Sequence, residues 1–195
     1  MKDTYLTISD RIGEGYYSEK RSKFLAFSHH VETVDQIKSI LSEYRKKYYD
    51  ARHVCYAYVL GNDRDDFRSN DDGEPSSTAG KPILGQINSK ELTNILIIVV
   101  RYYGGVNLGT SGLITAYREA AADAISNSEI IEKLVEETIS YSFTYPMMND
   151  VMRIVKEMSP KILEQNFDNT CEIVLSIRKS EAENLSNRLK KLSFE

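Results

Sequence analysis

NILIIVVRYYGGVNLGTSGLITAYREAAADAI, running from Asn94 to Ile125, reads as strand, loop, helix. Ile95 to Val100 is an unbroken, mostly β-branched aliphatic run, too short for an independent helix and suited to a strand covered on both faces, hence to the middle of a sheet. Alternation puts Ile97, Val99, Arg101 and Tyr103 on one face and Ile98, Val100 and Tyr102 on the other, so Arg101 is the first charge met on leaving the core. Gly104, Gly105, Gly109 and Gly112 follow in quick succession, and Thr110 or Ser111 is expected to cap a helix with the stripe Leu113, Ala116, Tyr117, Ala120, Ala124 and Ile125. A glycine loop feeding a helix N-terminus is a ready anion site, because unpaired amides and the positive dipole end converge there. No Lys-Ser/Thr pair follows the last glycine and the G-x-G-x-x-G spacing is missing, so neither familiar nucleotide loop is expected. The quieter reading of the same glycines is a tight left-handed turn that bends strand into helix.

At 195 residues, 41% hydrophobic and 28% charged, the chain has the profile of a soluble globular protein of one large or two small domains. No apolar run approaches membrane-spanning length and the start, MKDTYLTISD, has no apolar signal core, so a cytoplasmic protein with no membrane association is expected. The net charge of -4 argues against coating nucleic acid through bulk electrostatics and leaves room only for local contacts. Lys20, Arg21, Lys23 and the run Arg45-Lys46-Lys47 make residues 20–53 basic, while residues 62–74 are mainly acidic. Cys55 and Cys171 each fall in an apolar run, VCYAYVL and CEIVLSI, and are expected as buried reduced thiols. No Cys/His spacing suits zinc, and no cofactor or metal is expected.

Outward from the central stretch, Tyr5 to Ile8, Gly15 to Lys20 and Phe24 to Val31 read as short strands of an antiparallel sheet. Thr33 opens a helix, with a capping box to Gln36 and the stripe Val34, Ile37, Leu41, Tyr44 and Tyr48, ending near Tyr49. Val54 to Leu60 is a strand with Cys55, Ala57 and Val59 on a small face, beside His53, and Val54, Tyr56, Tyr58 and Leu60 on a bulky one. Gly61 to Thr93 reads as one long polar loop, of a length that compact domains seldom carry without using it. After Ser126, NSEIIEKLVEETI is a polar join with a boundary near 130–137. Beyond it come a strand (139–145), a helix (150–158), strands at 161–167 and 170–177 joined by Asp168-Asn169, a helix capped by Ser180 with Glu183, and a last strand from Ser193. That order is the ferredoxin-like unit.

Three ordered blocks carry a family resemblance. DARHVCYAYVLG (Asp50 to Gly61), SNDDGEPSSTAGKPILGQI (Ser69 to Ile87) and VVRYYGGVNLGTSGLITAY (Val99 to Tyr117), preceded by KRSKF (Lys20 to Phe24), resemble the signature blocks of the YigZ/IMPACT family across about residues 15–126. The resemblance implies an α+β protein of two domains. Residues 1–133 would form an IMPACT N-terminal-like domain of the ribosomal protein S5 domain 2-like fold. Residues 137–195 would form a ferredoxin-like βαββαβ domain similar to the last domain of elongation factor G. It further implies a link to translation regulation and to nucleic-acid binding. The different N-terminal domain of the eukaryotic IMPACT proteins has no counterpart in this sequence, so their binding to the activator of the eIF2α kinase pathway does not carry over.

If the blocks meet at one end of the sheet, Arg52, His53, Lys81, Arg101 and the loop residues Gly104, Gly105, Gly109, Thr110, Ser111 and Gly112 line a polar cleft for a phosphate-bearing ligand, RNA backbone foremost. Tyr102 or Tyr103 would offer a base-stacking face. In the quieter reading Arg101 pairs with Asp71 or Asp72 and locks the loop onto the sheet. A second hypothesis has Asp71, Asp72 and Glu74 hold a divalent metal while Lys81 and Arg101 orient a phosphate for hydrolysis or phosphoryl transfer, against which the missing nucleotide loop weighs. A third is an interaction module on the ribosome or a translation factor, docking through the ferredoxin-like domain. His53 and Cys55, two apart on one strand face, are read as packed neighbours rather than as a nucleophile with its base.

Overall fold

The structure, a computed structural model, describes residues 2–194. The chain divides into two compact units, Leu6–Glu132 and Met1–Tyr5 with Lys133–Glu195.

In chain order the elements up to residue 134 are β1 (Thr4–Ile8), β2 (Gly13–Glu19), β3 (Ser22–His30), α1 (Val34–Lys47), β4 (His53–Leu60), β5 (Asp66–Asn70), α2 (Gly80–Ser89), β6 (Ile95–Tyr102), α3 (Gly109–Ser126) and β7 (Ile130–Leu134), of which β2 to α3 lie wholly in the larger unit. β2, β3, β6, β4 and β5 form one sheet in that order, antiparallel throughout. β6 is the middle strand, as its aliphatic run requires, with Ile95 to Val100 wholly buried. Its two faces separate as alternation demands. Ile97 and Val99 join Cys55, Ala57, Val59, Ile83, Ile87 and Ala116, Ala120, Ala121 and Ala124 of α3 in one core, while Ile98 and Val100 join Tyr56, Tyr58, Ile37 and Leu41 of α1 in the other. The small residues of β4 and α3 let helix and sheet approach closely. A Cβ on Gly15 of β2 would lie 2.4 Å from the backbone nitrogen of Ala124.

The helix-capping pattern at α1 forms with an offset. Thr33 accepts from the Gln36 amide at 3.2 Å, but the Gln36 side chain reaches back to the amide of Glu32, one residue before the cap. A larger departure lies between β4 and β6. Residues 61–93 are not one loop, for they contain β5 and α2. β5, DFRSN, is an edge strand held by backbone pairing to β4, so its exposed residues carry no apolar alternation to read. α2 contains Gly80, Pro82 and Gly85, poor helix formers, yet Pro82 stands in the first turn where its missing N–H costs nothing, and Ile83 and Ile87 bury one turn apart. Tertiary burial overrides local propensity there.

In the second unit β8 (Glu136–Phe143) leads through a 3₁₀ turn (Tyr145–Met147) into α4 (Met148–Met158), then β9 (Lys161–Phe167), β10 (Cys171–Arg178) and α5 (Lys179–Leu192). The sheet is antiparallel in the order β8-β10-β9, and Val151, Ile154, Leu185 and Leu189 of the two helices bury against Phe143, Ile173, Leu175 and Ile177. This is the strand, helix, strand, strand, helix order of a ferredoxin-like unit. Its closing strand, expected from Ser193, is not formed among the described residues. The amides of Ser193 and Phe194 bond back to the carbonyls of Lys190 and Lys191 and extend the last turn of α5.

Ser180 does not cap α5, since Arg178 holds that position without a side-chain bond. The Ser180 hydroxyl donates instead to Asp3 at 2.6 Å, and Arg178 pairs with the same carboxylate at 2.9 Å. The serine bond, followed by Arg178, holds the Asp3 carboxyl below the ordinary aspartate range. Residues 2–5, expected in the first domain, thus cluster with the second unit. The supposed polar join contains β7, which pairs with β1. Among the described residues no helix is long and apolar enough to cross a membrane.

Candidate functional site

β4 and β6 pair so that His53 stands opposite Arg101 at one end of the central sheet, on the face that carries α3. The segment after β5 folds over this end. Asp71 tethers it through three backbone amides, those of Gly80 at 2.8 Å, Ser77 at 2.9 Å and Ala79 at 3.2 Å. Asp72 tethers it through the Val54 amide at 2.7 Å. Asp72 and Gly73 are both left-handed (φ 42° and 84°), a sharp reversal that turns Glu74 inward to 7% exposure.

Glu74 gathers the buried polar groups at this end of the sheet. Both of its oxygens accept from Arg101 Nη1 at 2.8 Å, Oε2 accepts from the Tyr117 hydroxyl at 2.5 Å, and Oε1 lies 3.2 Å from His53 Nε2. His53 Nδ1–H donates to the Asp72 carbonyl at 2.7 Å. The Arg101 guanidinium also donates to Ser22 at 3.4 Å and lies against the rings of Phe24 and Tyr103, 5.6 and 5.5 Å from their centroids. Its Nε is buried without a hydrogen-bond partner. Burial, then the neighbouring Cys55 and Glu74, pushes the Tyr117 phenol upward, so it stays a donor.

Above this buried layer opens a cleft of about 400 Å³, bounded by Arg52, His53, Glu74, Pro75, Arg101, Tyr103, Asn107, Leu108, Gly109, Thr110 and Leu113. Six of the residues expected at the site are therefore together: Arg52, His53, Arg101, Tyr103, Gly109 and Thr110. The Arg52 guanidinium sits 5.2 Å from the Tyr103 ring centroid, and the Tyr103 hydroxyl donates to Asn107. α3 begins at Gly109 with Leu108 at the cap position and no side-chain cap, so neither Thr110 nor Ser111 takes up its first amides.

The other expected residues lie elsewhere. Lys81 is exposed on α2 and outside the cleft lining. Tyr102 points to the opposite face of the sheet and donates to Asp50 at 2.9 Å; burial and that bond push its phenol up to about 12. Gly104 packs on the backbone of Arg21 and Ser22, and Gly105 is exposed with φ 86°. Ser111 and Gly112 line a neighbouring concavity of about 230 Å³ with Tyr17, Glu19, Lys20, Leu108 and Thr115.

Arg101 does pair with the loop, but through Glu74 rather than Asp71 or Asp72, whose carboxylates are occupied by backbone amides. Since each of the three acids has a separate partner, they do not converge on a common point as the metal hypothesis requires, and no group of metal-ligating side chains occurs among the described residues. The Cys55 thiol lies within hydrogen-bond reach of the Asp71 carbonyl at 3.1 Å and the Tyr117 hydroxyl at 3.4 Å, and burial pushes it up, which suits a structural thiol and not a nucleophile. Sequence reasoning missed Glu74 as the partner, Ser22 as the link between Arg101 and the glycine loop, and Tyr117 as more than core. The only signal for any of them was that Tyr117 is the one polar-tipped residue in an otherwise aliphatic helix stripe. Because Asp71 satisfies three amides at the entry to α2, Asp71→Ala is expected to cost about 1–3 kcal/mol in urea unfolding; a loss near zero would mean that water replaces it.

The family profile described as the Impact N-terminal domain matches residues 20–125. An IMPACT family member of Haemophilus influenzae is 31% identical over 87% of this chain and 84% of its own length. The IMPACT family member YigZ of Escherichia coli is 32% identical over 76% of this chain and 74% of its own. A solved structure described as a hypothetical protein superposes with a TM-score of 0.75 at 27% identity, covering 99% of this chain and 94% of that one.

Proposed function

Because this chain belongs to the IMPACT family, we propose that it is a translation-associated regulatory protein that binds RNA or another phosphate-bearing ligand through the cleft of its first unit. One observation carries the reading: Arg52, His53, Arg101 and the uncapped start of α3 surround a single concavity. The Glu74 carboxylate is already bound by Arg101, so the positive charge of Arg52 is left over at the mouth. The net charge of -4 confines attraction to this patch. Affinity for a short single-stranded RNA is expected to fall as salt rises, with a log–log slope of about -0.7 per phosphate neutralised. Arg52→Ala, an exposed change, should weaken binding by about tenfold, the order of one charge-assisted contact. Fluorescence anisotropy across a salt series checks both, and a flat series or an unaltered variant counts against the reading.

Docking on the ribosome or a translation factor is the second reading. It is favoured by the edge strand β9, where Ile162 and Leu163 are 42% and 52% exposed. Co-sedimentation with ribosomes separates the two. Loss in Ile162→Lys/Leu163→Lys but not in Arg52→Ala would favour docking, and the converse the cleft.

A further inference from the structure

Resting on the phosphate-binding reading of the cleft, we propose that its ligand is a single strand of RNA, which stacks one base on Tyr49 and lays its neighbouring phosphates on the last turn of α1.

The cleft by itself has charge for one phosphate. Arg101 is paired with Glu74, and Arg52 is the cation left over. One positive charge matches one internal phosphate of a strand. Cations for further phosphates lie next to it. In RKKYYDAR, residues 45–52, Arg45, Lys46, Lys47 and Arg52 stand against one acid, Asp50. All four are exposed, and among the described residues none has a carboxylate within ion-pair distance. Two backbone bonds join this basic turn to the edge of the cleft. The Ala51 amide donates to the Tyr48 carbonyl at 3.0 Å, and the Arg52 amide donates to the Arg101 carbonyl at 2.9 Å.

The second ground is a ring that nothing else engages. Tyr102 packs with the core beneath α1 and donates to Asp50, while Tyr103 carries Arg52 and Arg101 against its ring and donates to Asn107. The Tyr48 ring lies under Lys47 and against Phe27 and Tyr44. Tyr49 is 83% exposed, and among the described residues no ring, cation or hydrogen bond engages its side chain. It stands three residues before Arg52, at most about 11 Å along the chain, so a base stacked on it belongs to a nucleotide close to the one whose phosphate sits in the cleft.

Cations in the last turn of a helix also complement its dipole, and that accounts for Arg45, Lys46 and Lys47 taken alone. It does not account for a bare aromatic ring set between them and an unpaired arginine. Cations that track a backbone, beside a ring open to a base, make up a single-strand site. Such a ring stacks any base, and it needs one that is not already stacked in a duplex.

The test uses the full chain and fluorescence anisotropy with one RNA octamer, single-stranded or annealed to its complement. The single strand should bind at least about tenfold tighter than the duplex. Tyr49→Ala should weaken single-strand binding by about tenfold, the order of one stacked base, with the salt slope unchanged, and Tyr49→Phe should bind as the wild type does. Lys46→Gln/Lys47→Gln should reduce the salt slope by about 1.4, or roughly 0.7 for each lost phosphate contact. Because all three side chains are exposed, Tm should not move in any variant. Full affinity in Tyr49→Ala, with binding still lost in Arg52→Ala, overturns the stacking site and leaves the phosphate reading of the cleft intact. Equal losses in Tyr49→Phe and Tyr49→Ala, or a duplex that binds as tightly as the single strand, also overturn it. An unchanged salt slope in the lysine variant overturns the path along α1. No binding of either octamer removes this inference and the RNA reading together.

Discussion

Glu74→Ala lowers the free energy of unfolding by about 3–5 kcal/mol, the loss expected when one partner of a buried ion pair is removed. Arg101, at 5% exposure, would be left with Ser22 at 3.4 Å as its remaining hydrogen-bond partner, and His53 and the Tyr117 hydroxyl would lose an acceptor together with it. Against a total stability of roughly 5–15 kcal/mol for a domain, that is a large share. Urea unfolding measures it. A midpoint that falls with an unchanged m-value locates the loss in the native state. The cycle with Arg101→Met adds a second check, because the double variant should be less destabilised than the two single changes summed. Strict additivity, or a Glu74→Ala loss under about 1 kcal/mol, would mean that water reaches the guanidinium and that the layer beneath the cleft is not sealed.

The second large effect belongs to Gly104→Ala. A Cβ there would lie 2.2 Å from the Arg21 carbonyl carbon and 2.5 Å from both the Arg21 oxygen and the Ser22 nitrogen. All three atoms are backbone, so no rotamer change relieves the clash, and overpacking of this kind costs about 1–3 kcal/mol or more. Ser22 Oγ accepts from the Gly104 amide and from Arg101, so displacing the loop also shifts the guanidinium. Both Tm and RNA affinity are expected to fall. Gly105→Ala is the control: its Cβ would meet no atom within 4 Å, and only its φ of 86° resists. The left-handed conformation costs roughly 1–2 kcal/mol in an L residue. Gly105→Ala matching or exceeding Gly104→Ala in Tm loss would show that loop conformation, and not contact with the β2–β3 hairpin, sets the position of the glycine loop.

The central strand, the faces of β4 and β6, the stripe of α3 and the elements of the second unit through α5 were legible because each rests on neighbours two to four residues away, whereas the closing strand expected from Ser193 is not formed among the described residues. β5 and α2 were not. An edge strand with exposed side chains has no alternation, and a helix holding two glycines and a proline forms only because Ile83 and Ile87 find a core. The absent cap at α3 has a related cause, since Leu108 packs against the core and so occupies the cap position that Thr110 or Ser111 was expected to fill.

From the chain alone it was determined that Arg101 stands where the core ends, that glycines and a helix start come after it, and that Arg52 and His53 begin a strand whose alternation matches its own. Periodicity is local, and those statements need nothing more. Only the folded chain decided that Glu74, 27 residues before Arg101, is the carboxylate that meets it, that Lys81 belongs to open surface, and that Lys20 comes up beside the first turn of the helix that follows the glycines. Those outcomes depend on how loops close across the sheet and which amides each aspartate reaches first. No spacing along the sequence encodes a choice among three nearby acids.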